Sequence, residues 1–221
     1  PPMSGGPAKV QNRFYLHGSK RGGCMNADDT LKPEDPVSPA GSTPMPAAKA
    51  AADAEGGLPA NFELPGGRFA GREAFQQLVR NALACAARDG WQEIILSDAT
   101  FEDWPLRERA VVDSLRAWSK TGRRLVLLAT RFDGIERNQP RFATWRKAWS
   151  HIIECRQCRT ADPLDFPSAM WSRAWVMQRL DLARSTGVSG SEPDRRVMLR
   201  ELLDEKLRAS TAGFPASTLG L

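Results

Sequence analysis

The middle of the chain alternates between two kinds of apolar pattern. Over residues 71–88, large apolar side chains recur every three or four positions, which predicts an amphipathic helix that ends at Asp89-Gly90. Glu93–Ser97 follows as a short apolar run that is too brief for a core helix and contains two adjacent isoleucines. This run predicts a buried strand.

The next segments extend this strand into a βαβ unit. Asp103-Trp104-Pro105 is typical of a helix start, because proline suits the first turn and an acidic side chain favours the positive end of a helix. Helical apolar spacing continues to Trp118, Thr121-Gly122 stops the helix, and residues 125–129 form a second apolar strand. Strands joined in this way are parallel neighbours with a right-handed crossover. We therefore expect an α/β fold with a mainly parallel sheet and helices on both faces.

The remaining patterns complete the predicted domain, which covers residues 58–210. We expect further elements on both sides of the βαβ unit, namely a strand at 61–64, a helix at 139–150, a strand at 151–155, two extended segments joined by a turn within 168–183, and a helix at 194–209. The C-terminal residues 211–221 are expected to fray.

The first 57 residues have a different composition. They are rich in proline, alanine and glycine and contain few large apolar side chains, so they cannot bury enough surface to offset their chain entropy. We predict a disordered tail or leader at 1–57. Met25 is a candidate native start, with residues 1–24 as leader sequence.

The net charge of +5 is concentrated in one part of the chain. Residues 120–184 carry 13 Lys and Arg against 6 Asp and Glu, an excess of +7. Such an excess favours a nucleic acid or another polyanion as partner. The candidate anion-binding residues are Arg123, Arg124, Arg131, Arg141, Arg146 and Lys147.

Two carboxylates follow the predicted core strands. Asp98 comes directly after the first of them and Asp133 lies after the second, and open parallel sheets place ligand sites at this edge. The pair could bind a metal or act as acid and base. Alternatively, each could cap a turn or the following helix, as Asp commonly does after strands.

Several recognisable kinds of chemistry are missing from the sequence. It contains no Walker loop, GxGxxG after a strand, GxSxG or HExxH, and only two histidines. Cys155-Arg156-Gln157-Cys158 is a CxxC without the second half of a zinc site or a following helix start, so we expect these cysteines to be incidental. We predict no cofactor and no metal, and the four cysteines, which lack a disulfide-framework spacing, fit a reducing compartment.

Two tryptophan pairs lie close to arginines. Trp145 with Trp149, and Trp171 with Trp175, could form a base-stacking surface. Tryptophans four residues apart on an amphipathic helix are more often part of the core. No apolar run approaches the length that spans a bilayer and no secretory signal is present, so we expect a cytoplasmic protein without a membrane partner.

The order of elements resembles one half of the phospholipase D-like fold. Short bacterial members contain segments similar to GREAFQQLVRNALACAARDGWQEIILSD and GRRLVLLATRFDG of this chain. The resemblance covers about residues 66–209. Active members carry a His, a Lys two residues later and an Asp five further on, followed by Gly-Ser. Asp181 could take the Asp position, and Gly190-Ser191 lies downstream at a longer spacing than usual, but Ala174 and Val176 stand where the His and Lys would be. The resemblance therefore implies a noncatalytic relative.

Three functions remain open at this point. The leading expectation is a noncatalytic domain that binds an anionic ligand or a macromolecule. A metal-assisted phosphoesterase that uses Asp98 and Asp133 is the second, and a protein-interaction domain, homodimeric through exposed tryptophans, is the third.

Overall fold

A computed structural model of the chain describes residues 59, 61–159 and 161–215. The predicted tail at 1–57 and the candidate start at Met25 lie outside the described residues. None of the described helices is both long enough and apolar enough to cross a membrane.

The described residues form five helices and eight strands. The helices are α1 (Arg72–Asp89), α2 (Arg109–Trp118), α3 (Asp133–Asn138), α4 (Pro140–Ala148) and α5 (Pro193–Arg208). The strands are β1 (Gly67–Phe69), β2 (Glu93–Ser97), β3 (Arg124–Ala129), β4 (Ile153–Gln157), β5 (Ser168–Ser172), β6 (Val176–Asp181), β7 (Thr186–Gly190) and β8 (Thr211–Ala212). The fold is therefore a mixed α/β fold, as the apolar patterns predict.

All eight strands belong to one sheet, in the order β1-β7-β6-β5-β2-β3-β4-β8. The pairs β2–β3 and β3–β4 are parallel, whereas the other five pairings are antiparallel. The prediction of a mainly parallel sheet is wrong. The difference arises in the second half of the chain, where three residues connect β5 to β6 and four residues connect β6 to β7. Such short connections permit only antiparallel pairing.

Helices cover both faces of the sheet. On β2, Ile94 and Leu96 point into a large core beneath α1, α2 and α4, whereas Ile95 points into a smaller core beneath α5. The same alternation continues on β3, where Leu125 and Val126 lie on opposite faces. Because both faces are buried, the central strands are continuous apolar runs.

Helix α2 begins six residues later than its sequence suggests. Phe101 has a positive φ of 60°, and Trp104 N–H donates to the carbonyl of Phe101 in a turn of the loop before the helix. The side chains of Phe101, Trp104 and Leu106 are buried in the large core. The loop 98–108 is therefore a packed part of the core, and only residues from Arg109 onward are helical.

The first strand also differs from its prediction. Residues 61–64 form no strand, and β1 instead pairs with β7, with Arg68 opposite Val188. The carbonyl of Pro65 accepts hydrogen bonds from Trp175 Nε1 at 3.1 Å and Ser189 Oγ at 2.9 Å. These bonds fix the chain so that the residues after Pro65, and not those before it, reach the sheet edge.

The described residues beyond Ser210 are folded, so the predicted fraying is wrong for residues 211–215. Strand β8 pairs with β4, and the ring of Phe214 is buried and stacks on Phe132 at a centroid distance of 5.3 Å. The Arg146 guanidinium lies 4.4 Å from the centre of the Phe214 ring and donates to the Phe214 carbonyl. A buried aromatic ring thus closes this end of the large core.

We expect Phe214→Ala to destabilise the protein by about 3 kcal/mol, because it removes a buried ring and leaves Arg146 without its aromatic contact. Chemical denaturation followed by tryptophan fluorescence would measure the change. Leu164→Ala, at a side chain that is 83% exposed, is the matched control and should change the free energy of unfolding by less than about 0.5 kcal/mol. Equal stability of the two variants would contradict a packed C-terminal segment.

Candidate anion-binding site

Asp98 is the first of the two carboxylates at the sheet edge, and all its bonds are structural. Its Oδ1 accepts hydrogen bonds from the backbone N–H groups of Thr100 at 3.1 Å and Phe101 at 2.8 Å. These bonds hold the loop that carries Phe101 into the core. Asp98 therefore makes the turn-capping contacts that were the alternative to a catalytic role.

The other oxygen of Asp98 is paired with Arg179, one of the arginines close to the tryptophan pairs in the sequence. Arg179 Nη2 lies 2.8 Å from Asp98 Oδ2, and Arg179 Nη1 lies 3.0 Å from Asp103 Oδ2. Arg179 Nε donates to Ser168 Oγ at 2.8 Å, and the guanidinium lies 4.2 Å from the centre of the Phe75 ring. Every nitrogen of this guanidinium therefore has a partner within the fold.

The ionisation of Asp98 follows from these partners. Burial by itself would raise the pKa of the carboxyl group, but the Ser168 hydroxyl, the Arg179 charge and the Thr100 N–H outweigh that effect. The pKa of Asp98 is accordingly below its ordinary value. An acid–base catalyst at neutral pH needs the opposite shift.

Asp133 differs from Asp98 in being exposed, on the first turn of α3. An acidic side chain at this position is favoured by the positive end of the helix. Among the described residues, no group of three or more His, Cys, Asp or Glu side chains is placed to hold a metal ion. The sheet edge therefore offers two carboxylates with different surroundings and no assembled metal site.

The six predicted anion-binding residues do not form one surface. Arg146 is buried and bonded to Phe214, and so the interpretation of Arg146 as an anion contact is wrong. Arg124 donates to Glu93 and Glu154, each at 2.8 Å, along the β2–β3–β4 row. Both arginines serve the fold.

The other four predicted cations are exposed, but they lie on different parts of the domain. Arg123 precedes β3 and Arg131 follows it, so about 20 Å of extended chain separates them. Arg141 and Lys147 are on α4. Of these, Arg141 lines a groove together with Arg109 and Arg116, which lie outside the basic segment 120–184.

We call this groove the α2–α4 groove. It has a volume of about 300 Å³ and is lined by Arg109, Val112, Asp113, Arg116 and Arg141. Asp113 accepts from Arg116 at 3.2 Å and lies 3.5 Å from Arg109 Nε, whereas Arg141 makes no ion pair among the described residues. Three guanidinium groups with one carboxylate leave the groove with a local charge of +2.

A second arginine-rich groove has four arginines and two carboxylates in its lining, and two of these arginines also pair with Glu93 beside it. It has a volume of about 440 Å³ and is lined by Arg124, Glu154, Arg156, Arg200, Asp204, Leu207 and Arg208. Arg200 bonds Asp204 at 2.9 Å and Glu93 at 3.2 Å, and Arg156 bonds Ser210. Three of its four arginines already have anionic or carbonyl partners, whereas the α2–α4 groove has a single carboxylate for three arginines.

In the described part of the chain, the paired cysteines and the paired tryptophans are largely buried. Cys155 and Cys158 belong to the cores on opposite faces of the sheet, and burial raises the pKa of both thiols. Among the four paired tryptophans, all but Trp149 are buried, and Trp149 is half-buried. The interpretations of these rings as a base-stacking platform or an exposed dimer contact are therefore wrong.

Removing Arg179 should destabilise the fold strongly. We expect Arg179→Met to cost about 3–5 kcal/mol, because it leaves Asp98 buried and unpaired. Urea denaturation would measure this cost. Arg184→Met is the control, because Arg184 lies 3.9 Å from Asp181 and its side chain is 83% exposed. This substitution should lower the free energy of unfolding by less than about 1 kcal/mol. Adding Asp98→Asn to Arg179→Met should recover part of the lost free energy of unfolding, because it removes the unpaired charge. No recovery would show that the unpaired Asp98 carboxylate is not the cause of the loss.

Acid should weaken the fold through Asp98. A carboxyl group whose pKa is lower in the folded protein stabilises it fully above the ordinary Asp pKa of about 3.9 and ceases to do so as the pH falls through the lower folded value. The free energy of unfolding of the wild type should therefore fall more steeply below pH 4 than that of Asp98→Asn. Identical pH profiles for the two proteins would show that Asp98 does not carry this dependence.

Comparison with known proteins gives a likeness in fold. No protein-family model matches the chain, and no curated protein sequence is similar to it. Among solved structures, the chain is similar to TrmBL2, described as an archaeal chromatin protein that shows a novel mode of DNA binding, with 16% identity and a TM-score of 0.50. The match covers 66% of this chain and 53% of that protein, so the chain corresponds to about half of it. The two proteins share a fold over the matched region.

Proposed function

We propose that this domain is a noncatalytic binding module for a polyanion, with nucleic acid as the preferred partner, and that the α2–α4 groove is its contact surface. The observation that carries the proposal is the set of three arginines, Arg109, Arg116 and Arg141, gathered around the single carboxylate of Asp113. Guanidinium groups suit phosphate oxygens because their planar donors bind in pairs.

The arrangement of α2 supports this role. Its buried face, which includes Val111, Leu115 and Trp118, holds the helix on the core. Arg109 and Arg116 lie two turns apart on the outer face, and Arg141 is supplied by the neighbouring α4. The cations are thus carried by two packed helices rather than by loops, which limits the entropy lost on binding.

The surroundings of Asp98 favour binding over chemistry at the sheet edge. Asp98 has bonds to two backbone N–H groups and to Arg179, which leaves it poorly placed as a nucleophile or a base. A relationship to the phospholipase D-like proteins is part of the same proposal. In that comparison Ala174 and Val176 replace the His and Lys, and the Val176 side chain is buried.

The likeness to TrmBL2 is compatible with this proposal, since that protein is described as binding DNA. We also propose a cytoplasmic location. Cys85, Cys155 and Cys158 are free thiols, which suits a reducing compartment.

A salt titration of oligonucleotide binding by the full chain would test the proposal. We expect the logarithm of the binding constant for duplex DNA to fall linearly with the logarithm of salt concentration, because bound phosphates release counterions. The double variant Arg116→Glu with Arg141→Glu should bind at least tenfold more weakly and show a slope smaller by about 2, one unit for each lost phosphate contact.

The control variant carries the same change in net charge at other exposed arginines. Arg159→Glu with Arg184→Glu should reduce the affinity much less, since both residues lie outside the α2–α4 groove. Equal losses in the two double variants would mean that the charge acts without a defined site. An absence of binding at low salt would refute the proposal.

A further inference from the structure

A second surface lies on the opposite face of the sheet from α2 and α4. We call it the α5–β5 groove, and it has a volume of about 400 Å³. It runs between the first half of α5 and the end of β5 and is lined by Trp171, Arg173, Pro193, Arg196, Val197, Arg200 and Glu201. The volume falls in the range of specific binding sites.

The walls of this groove are fixed to one another. Trp171 Nε1 donates to the carbonyl of Arg196 at 2.9 Å, and Arg196 Nη1 in turn donates to the carbonyl of Arg173. The Arg200 guanidinium lies 4.6 Å from the centre of the Trp171 ring. Helix α5 is therefore tied through Arg196 to the end of β5 and to the β5–β6 turn, and a ligand would meet a preformed surface.

The groove combines an apolar interior with a basic rim. Its interior is formed by Trp171, Pro193 and Val197, and the Val197 side chain is 56% exposed although valine gains from burial. Met198, the next residue of α5, is 70% exposed. Three arginines and the carboxylate of Glu201 also line the groove. Arg200 is paired with Asp204 and Glu93, so the rim charge without an ion pair among the described residues is that of Arg173 and Arg196.

We propose that the α5–β5 groove binds a segment of a partner protein that carries a large apolar side chain flanked by Asp or Glu residues. The apolar side chain would enter the groove over the exposed side chains of Val197 and Pro193, and the carboxylates would pair with Arg173 and Arg196 on the rim. This proposal goes beyond the polyanion binding inferred for the α2–α4 groove, because it concerns another surface and another class of partner.

A nucleic acid fits this groove less well than a peptide does. The Trp171 ring is 7% exposed and Arg200 covers part of its face, so little of the ring is left for base stacking. The apolar side chains of Val197 and Pro193 offer no hydrogen-bond donors to phosphate or sugar oxygens. A peptide satisfies both the apolar interior and the cationic rim.

Selection from a random 12-residue peptide library displayed on phage, with the full chain as target, would test the proposal without assuming a sequence. The enriched peptides should contain a large apolar residue beside at least two acidic residues. A synthetic peptide of the enriched sequence should then bind the full chain, as measured by fluorescence anisotropy. The same peptide with Lys in place of its acidic residues should bind at least tenfold more weakly.

Variants of the protein locate the binding. Val197→Asp should weaken binding of the selected peptide at least tenfold, whereas Leu164→Asp, which introduces the same charge at another exposed apolar residue, should leave it unchanged. Arg173→Glu, at an exposed rim position, should also weaken binding and reduce its dependence on salt. Both positions are exposed, and thermal denaturation would verify that the variants are folded.

Three outcomes would overturn the inference. The first is that the library yields no enriched motif, or a basic one. The second is that the selected peptide binds Val197→Asp and Leu164→Asp with the same affinity. The third is that an oligonucleotide binds the wild type and loses its binding in Val197→Asp. The variants of the α2–α4 groove should bind the peptide normally, so this test and the salt titration can fail separately.

Discussion

The buried contact between Arg179 and Asp98 joins the two halves of this domain. Arg179 lies on β6, within the antiparallel part of the sheet, and Asp98 follows β2, within the parallel part. The guanidinium crosses β5, where it meets Ser168, and it rests on Phe75 of α1. Two charges this deep are costly to desolvate, so the pair is tolerated only because nearly every donor and acceptor around it is satisfied.

This contact determines what the sheet edge can do. In open α/β sheets the ends of the parallel strands commonly carry the ligand site, and Asp98 lies at that position. Here its carboxylate holds the start of the 98–108 loop and Arg179, so the side chain at this position is bonded within the fold. The cations divide in the same way, since Arg146 and Arg124 are used by the fold whereas Arg141 remains available at the surface.

The sequence predicts those parts of the fold that depend on local periodicity. Strand Glu93–Ser97 and helix α1 agree with their patterns because a buried strand and an amphipathic helix are defined by neighbouring residues. Strand direction in the second half was mispredicted, because a βαβ unit was extrapolated to segments that are joined by short turns. The loop before α2 was mispredicted because Trp104 and Pro105 resemble a helix start, while core packing of Trp104 decides their conformation.

The candidate site was only partly predictable for a related reason. A charge count along the chain identified Arg141 but also Arg146, since it does not distinguish a buried guanidinium from an exposed one. It missed Arg109 and Arg116, which lie outside the basic segment and join Arg141 only when α2 packs beside α4. Likewise, nothing near Arg179 in sequence indicates that its partner lies 81 residues away.

We propose that the polyanion contact lies on α2 and α4 and not at the sheet edge. Amide chemical-shift perturbation with the full chain and a short DNA duplex tests it most directly. We expect the perturbed amides to cluster at residues 109–116 and around Arg141, while those of Asp98, Thr100 and Thr130 keep their shifts. Perturbations centred on the sheet edge at Asp98 and Asp133 would contradict it.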